Sequence, residues 1–259
     1  MRVWIELPGR RVAIDPSSPI ELAFPIIDGA QVPRAFGFQK PQIVPVRQGS
    51  FVGSVAAGGP CNCDCLQLIP HGHTTHTECI GHITAERIPL YHCLRRYLFW
   101  AQLVTVQPQV LSNGDRVITA AQLQSMLVNP PPEALIVRTV GIDPKGQDFS
   151  GTNPPYFTPE AAELVVRYGI LHLLTDLPSI DREEDGGALR AHRAFWQYPY
   201  APRVEATITE LLSIPPALPD GEYLLQFQIL NLDSDASPSK PVLYAPLEVG
   251  EWMRAEYLV

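Results

Sequence analysis

Four of the chain's seven histidines fall within the twelve residues from His71 to His82. The stretch reads Pro70-His71-Gly72-His73-Thr74-Thr75-His76-Thr77-Glu78-Cys79-Ile80-Gly81-His82. Where the backbone is extended, side chains alternate with period two, so His76 and Glu78 share a face and His82 has the same parity. Imidazole and carboxylate converging on one ion is the donor chemistry of catalytic zinc or manganese sites, in which one coordination position stays open for water. The plain alternative is a polar surface loop whose histidines cap turns and bind nothing.

These groups need elements to hold them. The first seventy residues read as short strands, Val3 to Leu7, Arg11 to Ile14 and Cys61 to Ile69, separated by Pro- and Gly-rich pieces. Phe99 to Val106 and Ala134 to Val140 are apolar, β-branched runs suited to buried strands, with a helical composition over Ala120 to Val128 between them. Thr158 can cap a helix that has Pro159 at its first position and Glu160 in its first turn, and Gly169 stops it. A strand over Ile170 to Thr175, a helix over Ala188 to Trp196, and strands over Arg203 to Ile208, Tyr223 to Leu230 and Pro241 to Ala245 follow. Helices alternating with strands after a β-rich start predict an α/β fold, a mixed sheet with flanking helices. The chain shows no internal repeat and reads as a single domain over residues 1–259, with a β-rich portion over 1–50 that the pattern leaves weakly placed.

A formal charge of −8 and a pI near 5.3 argue against a nucleic-acid partner, because phosphate backbones select basic surfaces and no Lys/Arg cluster here exceeds a pair such as Arg95-Arg96. A small-molecule substrate fits better. With no apolar run of about 18 residues and no leader-like start, the expectation is a cytoplasmic protein with no membrane span. Cys61, Cys63, Cys65 and Cys79 could form a structural zinc site, but the usual two-residue spacing is missing, which favours reduced, buried cysteines packing as small hydrophobes. His172, in an apolar strand, reads as a satisfied core histidine, and His92 and Cys93 read the same way. Ser179 lacks a Gly-x-Ser-x-Gly elbow, which argues against a serine hydrolase.

The histidine-rich segment resembles the signature His-x-Gly-Thr-His-x-Asp-x-Pro-x-His of the cyclase family of metal-dependent hydrolases, to which bacterial kynurenine formamidases belong. Thr75-His76, Glu78 and His82 fall on its Thr-His, acidic and final His positions, while Gly72, Thr74, Glu78 and Ile80 replace its first His, Gly, Asp and Pro. A branch of the family with one extra residue before Gly-Thr-His gives the first ligand's place to His71, with His73 as the competitor. Downstream, Pro159-Glu160-Ala161-Ala162 leads to Asp176-Leu177-Pro178-Ser179-Ile180-Asp181, similar to the family's helix followed by Asp-x-x-Ser-x-Asp. His192 then matches a ligand histidine on a helix, Glu205 in Val204-Glu205-Ala206 matches the Glu of Glu-Asn-Leu, and Ser237 to Val242 is similar to the terminal strand. Asn62 resembles an Asn near the family's active site.

The resemblance covers about Ser50 to Ala245 and implies a swivelling β/β/α fold assembled as a homo-oligomer, dimer or tetramer. It implies a hydrolase of carbon-nitrogen bonds other than peptide bonds, arylformamidase-like, of the kind that cleaves N-formylkynurenine in tryptophan catabolism. His71, His76, Glu78, His192 and Glu205 would hold one or two Zn or Mn ions, and His82 would act as catalytic acid and base. Hydrolysis of a cyclic amide or lactone, or a non-catalytic metal-binding protein on the same fold, are the alternatives. Trp4 or Phe36 and Phe195-Trp196 are the residues expected to shape the substrate pocket.

Overall fold

In the computed structural model, which describes residues 2–7, 10–27 and 32–247, strands outnumber helices. The N-terminal part supplies β1 (Val3–Leu7), β2 (Arg10–Ile14), β3 (Ile20–Glu21), β4 (Gln42–Pro45), β5 (Arg47–Gln48), β6 (Phe51–Val52) and β7 (Asp64–Gln67). Next come α1 (Pro70–His73), β8 (His76–Glu78), α2 (Leu90–Cys93), β9 (Leu98–Val106), β10 (Gln109–Val110), β11 (Arg116–Ile118) and α3 (Ala120–Gln124). The rest is β12 (Ala134–Thr139), β13 (Tyr156–Phe157), α4 (Pro159–Arg167), β14 (His172–Thr175), α5 (Arg190–Trp196), β15 (Thr207–Glu210), β16 (Gly221–Gln226), β17 (Ala236–Pro238) and β18 (Val242–Tyr244).

Nine of these strands form one mixed sheet in the order β17-β8-β15-β14-β12-β9-β16-β18-β3. Its centre, β15-β14-β12-β9, is parallel, and the outer pairings are antiparallel. The apolar runs in the central strands follow from burial on both faces. In β12, Leu135 and Val137 join the core beneath α4 and α5, while Ala134 and Ile136 join a second core with Leu103, Leu174 and Leu225. Helix α4 begins as the sequence predicts: the Thr158 hydroxyl accepts from Ala161 N, Pro159 opens the first turn, and Gly169 at φ 72° takes the left-handed turn that ends it. Among the described residues no helix is long and apolar enough to cross a membrane.

Several element boundaries differ from expectation. The strand expected over Arg203 to Ile208 starts only at Thr207, because Arg203 folds back to donate to the carbonyls of Phe195 and Ile170 and Ala206 N closes a turn on its carbonyl. The Cys61 to Ile69 run shrinks to β7, since Pro70 opens α1 directly after Ile69. Helix α5 starts at Arg190, after Leu189 in the left-handed region at φ 45°. Phe195 and Trp196, expected to shape a pocket, are fully buried in the core, and Trp4 lies on the β1–β2 hairpin, covered by Arg11.

Candidate metal centre

The alternation expected over Thr75 to Glu78 materialises in β8, a three-residue strand lodged between β15 and β17. Its register sets Glu210 and Pro238 opposite His76, and Ile208 and Ala236 opposite Glu78. Paired residues share a face, so Glu210 meets His76 across the strands. The His76 Nδ1–H donates to Thr74 O at 2.9 Å, which fixes the tautomer and turns Nε2 toward Glu210 Oε2, 3.4 Å away.

Helix α1 turns the two candidate first ligands toward different neighbours. His71 Nδ1 lies 3.0 Å from Glu78 Oε2 and its Nε2 3.0 Å from Asp235 Oδ2, whereas His73 Nδ1 accepts the Ile69 N–H at 3.0 Å and its ring stacks edge-on against Phe38. Position 72, where the family signature has its histidine, has no room for a side chain: a Cβ there would meet Phe38 Cδ2 at 2.5 Å.

His82 reaches the same place by a different route from the one its parity suggests. It sits in a 3-10 turn over Ile80–His82, outside the strand, with Nδ1 3.2 Å from Asp235 Oδ2 and 3.7 Å from Glu78 Oε2. His192 arrives on α5. The Asp181 carboxylate accepts from the backbone N–H of Ala191 and of His192 and from His192 Nδ1 at 2.6 Å, which anchors the helix start and aims Nε2 at Glu78 Oε1, 3.0 Å away.

Glu205 is not part of this cluster. It is exposed on the turn before β15 and lines a separate small cleft with Cys93, Arg95, Arg96 and His172. The carboxylate on that stretch that faces the histidines is Glu210, also 3.7 Å from His192 Nε2. Glu210 and Asp235 were both missed by sequence reasoning, although Asp235 lies two residues ahead of the Ser237-Pro238 stretch that pointed to this edge strand.

The donor set fits a metal ion. Ligand atoms of His71, His76 and Glu78 all lie within 4.8 Å of one another, as do those of Glu78, His82 and His192, and of His71, His82 and Asp235. Glu78 Oε2 and His76 Nε2 are buried and make no aligned hydrogen bond. Their neighbours at 3.0 and 3.4 Å are close in distance only, and an off-axis approach is weak. Burial opposes ionisation of His71, but its hydrogen bond to Asp235 and the adjacent Glu78 carboxylate outweigh it and push its pKa up to about 10. Burial likewise opposes the charge on His192, yet Asp181 and Glu78 hold its pKa well above the usual imidazole range. Glu78, although fully buried, is held well below the usual carboxylate range by His82, His192 and His71.

The flanking groups take other roles. Asp176 is buried, which pushes its carboxyl up to about 7, and one oxygen accepts from Thr139 N. Ser179 Oγ accepts from Asp181 N. Asn62 is exposed and its Oδ1 accepts from Val55 N. Cys61, Cys63 and Cys65 are exposed rather than packed as small hydrophobes, while Cys79 and Cys93 are buried; among the described residues no cysteine joins a metal-capable group. His92 is exposed, not a core residue. Over the cluster lies a cavity of about 500 Å³, lined by Phe36, Phe38, His71, His82, Arg182 and Glu210 among others.

The family model described as "Putative cyclase" matches residues 14–182. Among curated proteins none matches the chain. Among solved structures, one titled as a potential metal-dependent hydrolase with cyclase activity is 15% identical with a TM-score of 0.63, covering 88% of this chain and 97% of its own. A predicted metal-dependent hydrolase from Bacillus stearothermophilus is 17% identical with a TM-score of 0.56, covering 88% and 98%. An isatin hydrolase bound to the product analogue thioisatinate is 16% identical with a TM-score of 0.61, covering 88% and 92%. At these identities the likeness is one of fold.

Proposed function

Since the chain belongs to the family of putative cyclases, we propose that it is a metal-dependent hydrolase that cleaves an amide, with an aryl formamide of the N-formylkynurenine type as the preferred substrate class. The observation that carries this reading is the convergence of His71, His76 and Glu78 beneath an open cavity, with a buried carboxylate oxygen and a buried imidazole nitrogen left without aligned partners. Three neutral or anionic donors of this kind suit zinc or manganese. A bound divalent ion supplies Lewis acidity and a water of lowered pKa.

The chain's own residues supply the remainder. His82, half-buried against the cavity, accepts a proton at Nε2 and returns it to the leaving amine, which departs poorly unless protonated. Asp235 accepts from His82 Nδ1 and so fixes which ring nitrogen faces the substrate. His192, steered by Asp181, completes the pair of donors around Glu78. Hydrolysis of a cyclic amide such as isatin, the substrate that names one of the structural neighbours, draws on the same groups. Exposed apolar side chains on the β4–β7 arm, Val44 and Leu66, support assembly as a homo-oligomer.

The test combines metal analysis with turnover. Purified protein is expected to hold one or two zinc or manganese ions per chain and to hydrolyse an aryl formamide, and His76→Ala and Glu78→Ala are each expected to lose metal and rate together. Full activity in metal-free protein would falsify the assignment, and metal without turnover of any amide, ester or lactone would favour a binding protein on the same fold.

A further inference from the structure

The cavity above the metal residues offers both aromatic and cationic surface. Phe36 and Phe38 stand edge to face with centroids 6.1 Å apart, and the bare Gly72 lets the Phe38 ring pack close to α1. Phe36 holds φ at 57°, a left-handed backbone conformation unusual for a bulky residue.

Arg182 lines the same cavity and is held by a dedicated network. Asp115, only 4% exposed, accepts from Arg182 Nε at 3.3 Å on both oxygens, and also from Asn113 Nδ2, Asn153 Nδ2 and Tyr156 OH. The Arg182 Nη1 donates to Glu184 O, and Nη2 makes no hydrogen bond among the described residues. The nearby acids do not compete for it directly. Glu183 accepts from Gly151 N and Asn153 N, Asp185 accepts from the N–H groups of Gly187, Ala188 and Leu189, and Glu184 is exposed. A buried carboxylate with this many donors is a mount: it fixes one edge of a guanidinium and leaves a remaining donor for an anionic oxygen.

We infer that the substrate is an aryl amide whose ring bears a carboxylate, with Phe36 and Phe38 packing the ring, Arg182 binding the carboxylate as a specificity determinant, and Asp115 acting as a positioning residue. This rests on the hydrolase reading. For the probe 2-formamidobenzoate, the C–N bond breaks and the water oxygen bonds to the formyl carbon. One water proton goes to the amine nitrogen and the other is released as formic acid ionises, giving 2-aminobenzoate and formate.

The experiment compares kcat/KM of the metal-loaded enzyme for 2-formamidobenzoate and for formanilide, which lacks the carboxylate. Wild type is expected to favour the carboxylated substrate. Arg182→Gln should lower that preference roughly 10- to 100-fold, mainly through KM, as expected for losing a charged hydrogen bond; Arg182→Lys should restore part of it, and Asp115→Asn should lower it less. An unchanged ratio in Arg182→Gln, or no preference in wild type, overturns the inference while leaving the hydrolase reading intact. Calorimetric binding of benzoate against benzamide provides a readout without turnover. If neither formamide is hydrolysed yet benzoate binding falls with Arg182→Gln, the aryl-formamide reading fails and the anion site stands; benzoate binding unchanged in Arg182→Gln overturns the anion site.

Discussion

Removing Glu210 takes the carboxylate neighbour from His76 Nε2 and His192 Nε2, whereas Glu205 touches neither ring. Glu210→Ala is therefore expected to weaken metal binding roughly 10- to 100-fold, the loss typical of groups that orient ligands, while Glu205→Ala retains wild-type metal content by elemental analysis. His71→Ala should lose more metal than His73→Ala, because only His71 faces Glu78. A different histidine governs acid stability. His172 is buried against Phe99 and Phe227, its Nδ1 is 2.8 Å from Thr207 Oγ1, and burial, with Arg96 and Arg203 nearby, lowers its pKa to about 3. With the folded pKa below the unfolded value of 6.5, the unfolded chain binds the extra proton, so this contribution is intact above about pH 6.5 and is lost as pH falls toward 3. The loss amounts to roughly 2 kcal/mol by pH 5, and His172→Gln should flatten the acid limb of the denaturant midpoint against pH. Sequence reading pointed to His71, His76, Glu78, His82 and His192, the first four because they crowd one short segment that resembles a family signature and the fifth because its place matches a family histidine. Glu210 and Asp235 were out of its reach, since each sits more than a hundred residues from β8 and only strand register brings them in.

Helix α5 is held at its start by one side chain. Asp181 satisfies two of its first N–H groups and the ring of His192 at once. Asp181→Asn replaces a charged acceptor with an amide that cannot hold all three donors, so it should lower metal affinity roughly 10- to 100-fold with little loss of total helix, measured by metal titration alongside far-ultraviolet circular dichroism. Elements with strong local punctuation were legible. Thr158, Pro159 and Gly169 frame α4 on physical grounds that need no tertiary context. The start of β15 was not legible, because Val204-Glu205-Ala206-Thr207-Ile208 alternates equally well in a strand beginning several residues early, and the Arg203 contacts that make it a turn come from Phe195 and Ile170.

At the scale of the whole molecule, strand order says more than strand content. Strand β17 is one edge of the nine-stranded sheet and β18 is next to the other edge, yet Pro238 and Val242 are separated by only Ser239, Lys240 and Pro241. Four Cα steps reach about 15 Å at most, whereas the seven strand spacings from β17 to β18 in a flat sheet would span about 34 Å. The sheet is thus rolled nearly shut, and the Pro238–Val242 link works as a seam. Ser239 N donates to Thr75 O beside the metal residues, and Lys240 N donates to Gln228 O just beyond β16. A cation gripped by His71, His76 and Glu78 would therefore tighten a hoop rather than one margin, and stripping it with a chelator should lower a single cooperative melting transition, by roughly 5–10 °C for an ion at a hundred times its dissociation constant, instead of splitting off an early local one. Two calorimetric peaks after chelation would mean that the seam does not carry load between the sheet's two margins.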